Sequence, residues 1–259
     1  MKRVILFLLA LPSLAVAAPH HKGTLSSLNL GIRYSSILEN RGVVFYPRFQ
    51  IDPVLGVFLF DDKLEFLGDS IGYRDFVYSD VVRLRGRLVA ISDDPLFPKN
   101  TRLRESLPNR KSTYELNARA EVFLPGYNDS YRSEIDVGYS KDLVVHHGNY
   151  FDLQSKFKIG EWTLPIVETR LEPNLLLSAG AGDSAHNRYF YGPDDTSSGI
   201  TNISYGLVFA FPNDADRYYP IIQFTHFEVV GDAHRSAQYA RGRNSGWLLS
   251  FIATYGALE

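Results

Sequence analysis

Apolar and polar side chains alternate with a period of two along most of this chain. Between Asn202 and Pro212 the odd-numbered positions are apolar, whereas the even-numbered positions carry Ser, Gly, Val and Ala. Such alternation is typical of a β-strand with one face toward an apolar environment, because successive side chains of a strand point to opposite sides. No segment after residue 17 has a convincing apolar period of 3.6. The pattern therefore predicts an all-β protein.

The alternating segments predict twelve strands. Most are about 10 to 16 residues long, which exceeds the five or six residues typical of soluble β-proteins. About 9 to 11 residues suffice for a tilted strand to cross a bilayer. The predicted strands are 25–36, 42–51, 54–60, 63–75, 79–92, 112–124, 129–144, 149–159, 164–180, 200–212, 217–230 and 245–257.

Aromatic residues at the two ends of an apolar face indicate a membrane barrel. On the last predicted strand, Trp247 and Tyr255 share the apolar face and lie about 26 Å apart at about 3.3 Å per residue. This matches the roughly 25 Å apolar band between the aromatic girdles of outer-membrane barrels. The fold class predicted is a closed, antiparallel transmembrane β-barrel, with the long connections 93–111, 181–199 and 231–244 outside. Strand 54–60 is short, and joining it to its predecessor leads to ten strands as the alternative.

The N-terminus resembles a secretory signal peptide. Lys2 and Arg3 precede a short apolar run that closes on Ala15-Val16-Ala17. We expect cleavage after Ala17, which divides the chain into a signal peptide (1–17) and an outer-membrane barrel (18–259) surrounded by membrane lipid. The chain has no cysteine, and its net charge of -2 comes without a basic block, so nucleic acid is not an expected partner.

The polar faces of the predicted strands carry many charges that would line the lumen. An isolated charge at low dielectric costs several kcal/mol, so these groups need water or partners. Two interpretations stay open. Either salt bridges fill the barrel, or the lumen is a narrow pore for small polar solutes in which the arginines of strand 79–92 favour anions. The candidates are Arg83, Arg85, Arg87, Glu115, Arg119, Glu168, Arg170 and Glu172, with Glu121, Asp136 and Asp152 on the same faces.

An aromatic cluster stands in the predicted outer loop 181–199. Tyr189, Phe190 and Tyr191 follow one another and run into Gly192-Pro193. Such a cluster is typical of an interfacial girdle that holds a loop at the level of the lipid headgroups. It could equally contact a partner or a ligand.

Three runs of this sequence resemble the MipA/OmpV family, the MltA-interacting outer-membrane proteins. LEPNLLLSAGAGDSAHNRYFYG is similar to the family motif in which a strand ends in a polar stretch, an Asn and a "YYYG"-like cluster. SLPNRKSTYELNARAEV resembles its Leu-x-x-Arg loop, and VVGDAHRSAQYARGRNSGWLLSFIATYG resembles its closing strand region. The family's Pro after Ser236 is replaced by Ala237, so the resemblance is to a divergent member.

The resemblance implies a scaffold that holds a lytic transglycosylase and a peptidoglycan synthase near the murein layer. No enzymatic activity, metal or cofactor is expected. The blocks that end at Ser70 and His186 mimic the Gly-Asp-Ser and Asp-x-x-His blocks of a lipase class. That class places its nucleophile at a strand-to-helix turn, and the pattern predicts no helix here. His146 and His147 are too remote in sequence from any other histidine to suggest a metal site.

Overall fold

Twelve antiparallel strands close into a barrel in the computed structural model of this protein. The structure describes residues 25–36, 38–40, 43–46, 50–60, 63–68, 70–79, 81–91, 113–124, 133–164, 169–191, 197–212, 218–231 and 244–256. The strands are β1 (Leu25–Ser35), β2 (Leu38–Asn40), β3 (Val43–Tyr46), β4 (Gln50–Leu59), β5 (Leu64–Leu67), β6 (Ser70–Tyr78), β7 (Val82–Ile91), β8 (Thr113–Phe123), β9 (Glu134–Asp142), β10 (Asn149–Lys158), β11 (Trp162–Leu164), β12 (Thr169–Gly182), β13 (Gly199–Ala210), β14 (Tyr218–Val229) and β15 (Ser245–Gly256). One helix, α1 (Ser184–Tyr191), lies between β12 and β13.

The barrel closes because β1 pairs with β4 on one side and with β15 on the other. Around the wall the strand order is β1, β4, β5, β6, β7, β8, β9, β10, β12, β13, β14 and β15. The short strands β2 and β3 form a separate two-stranded sheet, and β11 pairs with the start of β12. The prediction of a closed antiparallel barrel of twelve strands is confirmed.

The strands near the start of the chain differ from the predicted ones. Pro53 lies inside β4, so the predicted strands 42–51 and 54–60 are wrong, and their residues contribute to β3 and to the single strand β4. A proline usually stands at the end of a strand or on an edge strand, so the sequence indicated a strand boundary at Pro53. The predicted strand 63–75 is also wrong, because the chain turns at Gly68, whose φ of +59° suits glycine, and continues as β6. Two predicted strands thus correspond to the one wall strand β4, and one predicted strand corresponds to β5 and β6, so the total stays at twelve.

The outer surface of the barrel is apolar and its inner surface is mostly polar. Leu207 is 37% exposed on the outside, whereas its neighbour Val208, on the inside, is 3% exposed. Phe251 is 49% exposed and Ser250 is 4% exposed, so the predicted alternation holds on the last strand as well. Soluble proteins rarely expose contiguous apolar patches beyond a few hundred Å². A belt of large apolar side chains on successive strands needs hydrocarbon around it, and we take the barrel wall as the membrane-spanning part.

Aromatic side chains lie near both ends of this belt. Trp247 stacks on Tyr34 at one end, with ring centroids 5.3 Å apart, and Tyr255 is 45% exposed at the other. We call the end with Trp247 and α1 the helix end. None of the helices in the described ranges is long and apolar enough to cross a membrane. The predicted signal peptide 1–17 lies outside the described residues.

Candidate functional site

Glu65 of β5 is one of the most enclosed charges in the lumen. Its side chain is 1% exposed and contacts three guanidinium groups. Arg74 Nε lies 3.7 Å from Oε2 and Arg85 Nη1 lies 3.9 Å from it, while Arg87 Nε donates a hydrogen bond to Oε1. Gly72 makes the approach possible, because a Cβ there would lie 2.6 Å from Arg87 Cγ and 2.8 Å from Glu65 Oε1.

A second carboxylate, Glu121 of β8, binds the other arginines of β7. Arg85 Nη1 lies 2.9 Å from Glu121 Oε1, and Arg83 Nη1 lies 3.5 Å from Oε2. Arg83 also has its Nε 3.7 Å from Oδ1 of Asp75. All three arginines of β7 therefore have carboxylate partners, which stand on β5, β6 and β8.

The network continues along β9 and β10. Arg119 Nη1 lies 3.4 Å from Oδ2 of Asp136, and its Nη2 donates to Asp152. Lys156 pairs in the same way with Glu134. Ion pairs between acidic and basic side chains therefore continue around the inner wall from β5 to β10.

A separate cluster of charges lies at the end of the barrel opposite α1. Glu172 is fully buried and accepts hydrogen bonds from Lys158 Nζ at 3.0 Å and from Arg170 Nε at 2.7 Å. Glu161 bridges the same two cations from the connection after β10, at 2.8 Å and 3.2 Å. The hydrogen bond from Lys158 holds the pKa of Glu161 below its ordinary value.

The structure places the predicted luminal charges as follows. Glu115 is 1% exposed on the inner face of β8, and Glu168 lies outside the described residues. The arginines and Glu172 take part in the ion pairs above. Glu65 and Arg74 were missed, because a strand of four residues such as β5 offers only Leu64-Glu65-Phe66 as an alternating signal.

Asp183 begins helix α1 and ties it to the barrel. Its Oδ1 accepts a hydrogen bond from the His186 amide at 2.8 Å, as an N-cap residue does, and its Oδ2 accepts one from the Asn149 amide at 2.9 Å. Burial raises the pKa of Asp183, but these hydrogen bonds outweigh it and hold the pKa below its ordinary value. The expectation that this loop contains no helix is wrong. Eight residues are too few to show a 3.6-residue period among neighbouring strands.

The helix turns its aromatic residues into the mouth of the barrel. His186 and Phe190 are both 0% exposed, with ring centroids 4.3 Å apart. On its other side the His186 ring stacks on Tyr150 of β10 at 5.0 Å, and Tyr150 donates a hydrogen bond to Asn202 at 2.9 Å. The interpretation of the cluster as a lipid-facing girdle is therefore wrong for Phe190, because this ring is fully buried against His186 and His146.

The connection between β9 and β10 covers the helix. Oδ1 of Asp142 accepts hydrogen bonds from four successive amides, those of residues 144 to 147, at 2.8 to 3.1 Å. This tight turn brings the ring of His146 onto Tyr189, with centroids 4.4 Å apart. Tyr189 is partly exposed. The Tyr191 side chain and Gly192 lie outside the described part of the chain. Their role in partner binding stays a prediction.

Two histidines that are 40 positions apart in sequence meet at this mouth. The rings of His146 and His186 lie 5.8 Å apart, so His186 is not remote from the loop in space. In the part of the chain that the structure describes, no group of three or more His, Cys, Asp or Glu side chains could hold a metal ion. Ser70, the lipase-like serine, lies four strands from β10 around the wall and donates its hydroxyl to the Leu67 carbonyl at 3.0 Å.

No family model and no curated protein matches this chain. Among solved structures, a similarity is found to the crystal structure of Ail, the attachment invasion locus protein of Yersinia pestis. The identity is 7% and the TM-score is 0.18, over 90% of this chain and 97% of that one. A TM-score this low carries no argument. The fold therefore rests on the strand pairing described above.

Proposed function

We propose that this protein is an outer-membrane barrel that works as a scaffold for murein enzymes and does not conduct solutes. The observation that carries the proposal is the pairing of the luminal arginines with enclosed carboxylates. A conducting lumen needs sites that bind an ion weakly enough to release it. The guanidinium groups of Arg83, Arg85 and Arg87 are instead engaged by Glu65 and Glu121.

The other half of the lumen supports a closed barrel as well. On β13 and β14 buried apolar side chains stand on the inner face beside polar ones: Val208 is 3% exposed, Phe227 is 7% exposed and Val229 is 0% exposed, with Ser204, Gln223 and Thr225 on the same faces. Helix α1 packs into the mouth above them. Water and ions would have to pass between these buried side chains and the salt-bridged wall. This favours the scaffold over the alternative of a narrow pore.

The proposed location rests on the barrel and on the expected signal peptide. Closed barrels span a bilayer because every strand edge is paired, and barrels of this kind belong to the bacterial outer membrane. With the long connections outside, the helix end faces the exterior and the opposite end faces the periplasm. A scaffold for murein enzymes must offer its contact surface at that periplasmic end.

The connection between β10 and β12 is the best candidate for this contact in the described ranges. Strand β11 pairs with residues 169–171 of β12 and so extends the hairpin below β10. Ile159 and Trp162 are 58% and 56% exposed there, next to the ion pairs of Glu161. Aromatic residues are enriched in protein interfaces, where they carry much of the binding energy.

The partners are proposed from the resemblance to the MipA/OmpV family, which rests on Tyr189–Gly192 and the two runs quoted above. The test is binding of a purified lytic transglycosylase to the immobilised barrel, with Trp162→Ala beside Arg188→Ala on the helix end as the matched control. We expect binding that Trp162→Ala weakens and Arg188→Ala leaves unchanged. An absence of binding to the wild-type barrel would overturn the scaffold proposal.

A further inference from the structure

A groove of about 830 Å³ crosses the outside of the barrel from β6 to β10. Its floor consists of small residues, Gly86 of β7 with Ala118 and Ala120 of β8. Gly86 pairs directly with Ala118, so the floor is continuous across two strands. The volume lies in the range of about 300 to 1,000 Å³ that is common for ligand pockets.

Two aromatic pairs form the walls of this groove. Tyr73 and Phe76 of β6 pack edge to face on one side, with ring centroids 5.1 Å apart. Tyr139 of β9 and Phe151 of β10 pack together on the other side, also at 5.1 Å. These rings stand on the lipid-facing surface: Phe76 is 65% exposed and Phe151 is 53% exposed.

The strand register explains the shape of the groove. Tyr73 pairs with Gly86, Gly86 with Ala118, and Ala118 with Tyr139, so one row across the wall reads aromatic, small, small, aromatic. Neighbouring strands are about 4.8 Å apart, which puts the two tyrosine backbones about 14 Å apart. The rings fill part of this width, and the groove lies between them.

Contacts within the protein hold the walls of the groove in place. The Tyr139 hydroxyl donates a hydrogen bond to Oδ1 of Asn149 at 2.7 Å, which fixes that ring toward the helix end. Phe76 reaches over the floor, since a Cβ at Gly86 would lie 2.9 Å from its Cε2. A groove whose walls are already ordered binds with a smaller loss of conformational entropy.

We propose that this groove is a specific binding site for the acyl chains of a membrane lipid. It is continuous with the apolar belt that the bilayer surrounds, and its lining side chains at the floor and walls are apolar except for the tyrosine hydroxyls. Its concave shape also decides between occupants, because the wall of a second barrel is convex and broad and would bridge the groove without filling it. A flexible hydrocarbon chain follows the floor along Ala120 and Ala118, beside the Phe76 ring.

The test uses phosphatidylethanolamine and phosphatidylglycerol vesicles that contain a phospholipid with a photoreactive group in its acyl chain. After irradiation, mass spectrometry locates the labelled residues. We expect labelling at Phe76, Ala118 and Tyr139 about tenfold above that at Phe251, which is equally lipid-facing on β15. A tenfold difference corresponds to about 1.4 kcal/mol of preferential binding.

The variant Ala118→Leu fills the floor, and Ala253→Leu makes the same change on the lipid face of β15. Both side chains enter an apolar surface, so both variants should fold, which heat-modifiable gel mobility checks. Ala118→Leu should abolish the preference for the groove, and Ala253→Leu should leave it intact. Equal labelling of β8 and β15 in the wild type, or a preference that survives Ala118→Leu, would overturn the proposal. So would a dimer, detected by chemical cross-linking, that Ala118→Leu dissociates.

Discussion

The backbone of Gly182 lies directly against the imidazole ring of His186. A Cβ at position 182 would overlap His186 Nδ1 and Oδ1 of Asn187. The end of β12 can therefore receive the first turn of α1 only while residue 182 has no side chain. This contact directs the helix into the barrel mouth. The proposed closure of the lumen therefore depends in part on glycine at position 182.

The variant Gly182→Ala should expel the helix from the mouth. Overpacking of this kind typically costs about 1 to 3 kcal/mol, which raises the population of the undocked helix. Trypsin cleavage after Arg188, which lies in the helix and is exposed, measures that population. The control is Gly199→Ala, because a Cβ there meets no atom within 4 Å. Equal cleavage rates in the two variants would contradict the proposed role of Gly182.

Docking of the helix should weaken in acid. The pKa of Asp183 is lower in the docked state than its ordinary value of about 3.9, so its ionised form stabilises the docked state. This stabilisation is complete above that value and is lost as the pH falls through the lowered pKa. Asp183→Asn can still cap the helix but removes the charge at its N-terminus, so it should cost about 0.3 to 1 kcal/mol of helix stability near neutral pH and reduce the loss in acid.

Hydrogen exchange of the amides of residues 184–191, corrected for the intrinsic effect of pH, measures this dependence. Glu228→Gln is the control, since Glu228 is 42% exposed and its ion-pair partner is His226 of β14. Helix protection that is the same in Asp183→Asn and in the wild type would show that the carboxylate does not hold the helix.

Glu65→Gln should be among the most destabilising single changes in the lumen. It removes the carboxylate charge that faces Arg74 and Arg87, and breaking a buried ion pair from one side costs about 3 to 5 kcal/mol. Glu228→Gln should cost less than about 1 kcal/mol, because its ion pair is exposed. Urea unfolding in lipid vesicles measures both free energies. Similar values for the two variants would mean that water screens the luminal network.

The strand count could be predicted from the sequence because alternation repeats over long strands such as β13 and β15. The prediction of strand boundaries failed where the sequence signal is short or ambiguous. Pro53 marks a strand end in most sheets but stands inside β4, and β5 has only four residues. The two errors cancelled in the count but not in the strand boundaries.

The site could be predicted only in part, for a different reason. Charges such as Arg85 and Glu172 were assigned to the lumen from the same alternation. Their partners depend on the register between strands, which no single strand encodes. The meeting of His146 with His186 requires both the turn at Asp142 and the capping of α1 by Asp183. These are tertiary contacts between residues 40 positions apart.

The variant Leu207→Arg tests which face of β13 meets lipid. A charge on the lipid face near the bilayer midplane costs about 2 to 4 kcal/mol, so this variant should fold poorly into vesicles. Gln223→Arg on β14 places the same side chain on the inner face, because Gln223 pairs with the inward Val208, and it should fold. Heat-modifiable gel mobility scores both variants. Folding of Leu207→Arg together with failure of Gln223→Arg would show that the faces are inverted.

The central claim is that salt bridges and the docked helix close the lumen, so that the barrel acts through contacts at its ends. Recording in planar lipid bilayers tests it most directly, with insertion verified by the heat-modifiable mobility of the same preparation. The account predicts no discrete current steps from the wild-type barrel at either polarity. Discrete steps whose size rises with salt concentration would contradict it and would establish the lumen as a pore.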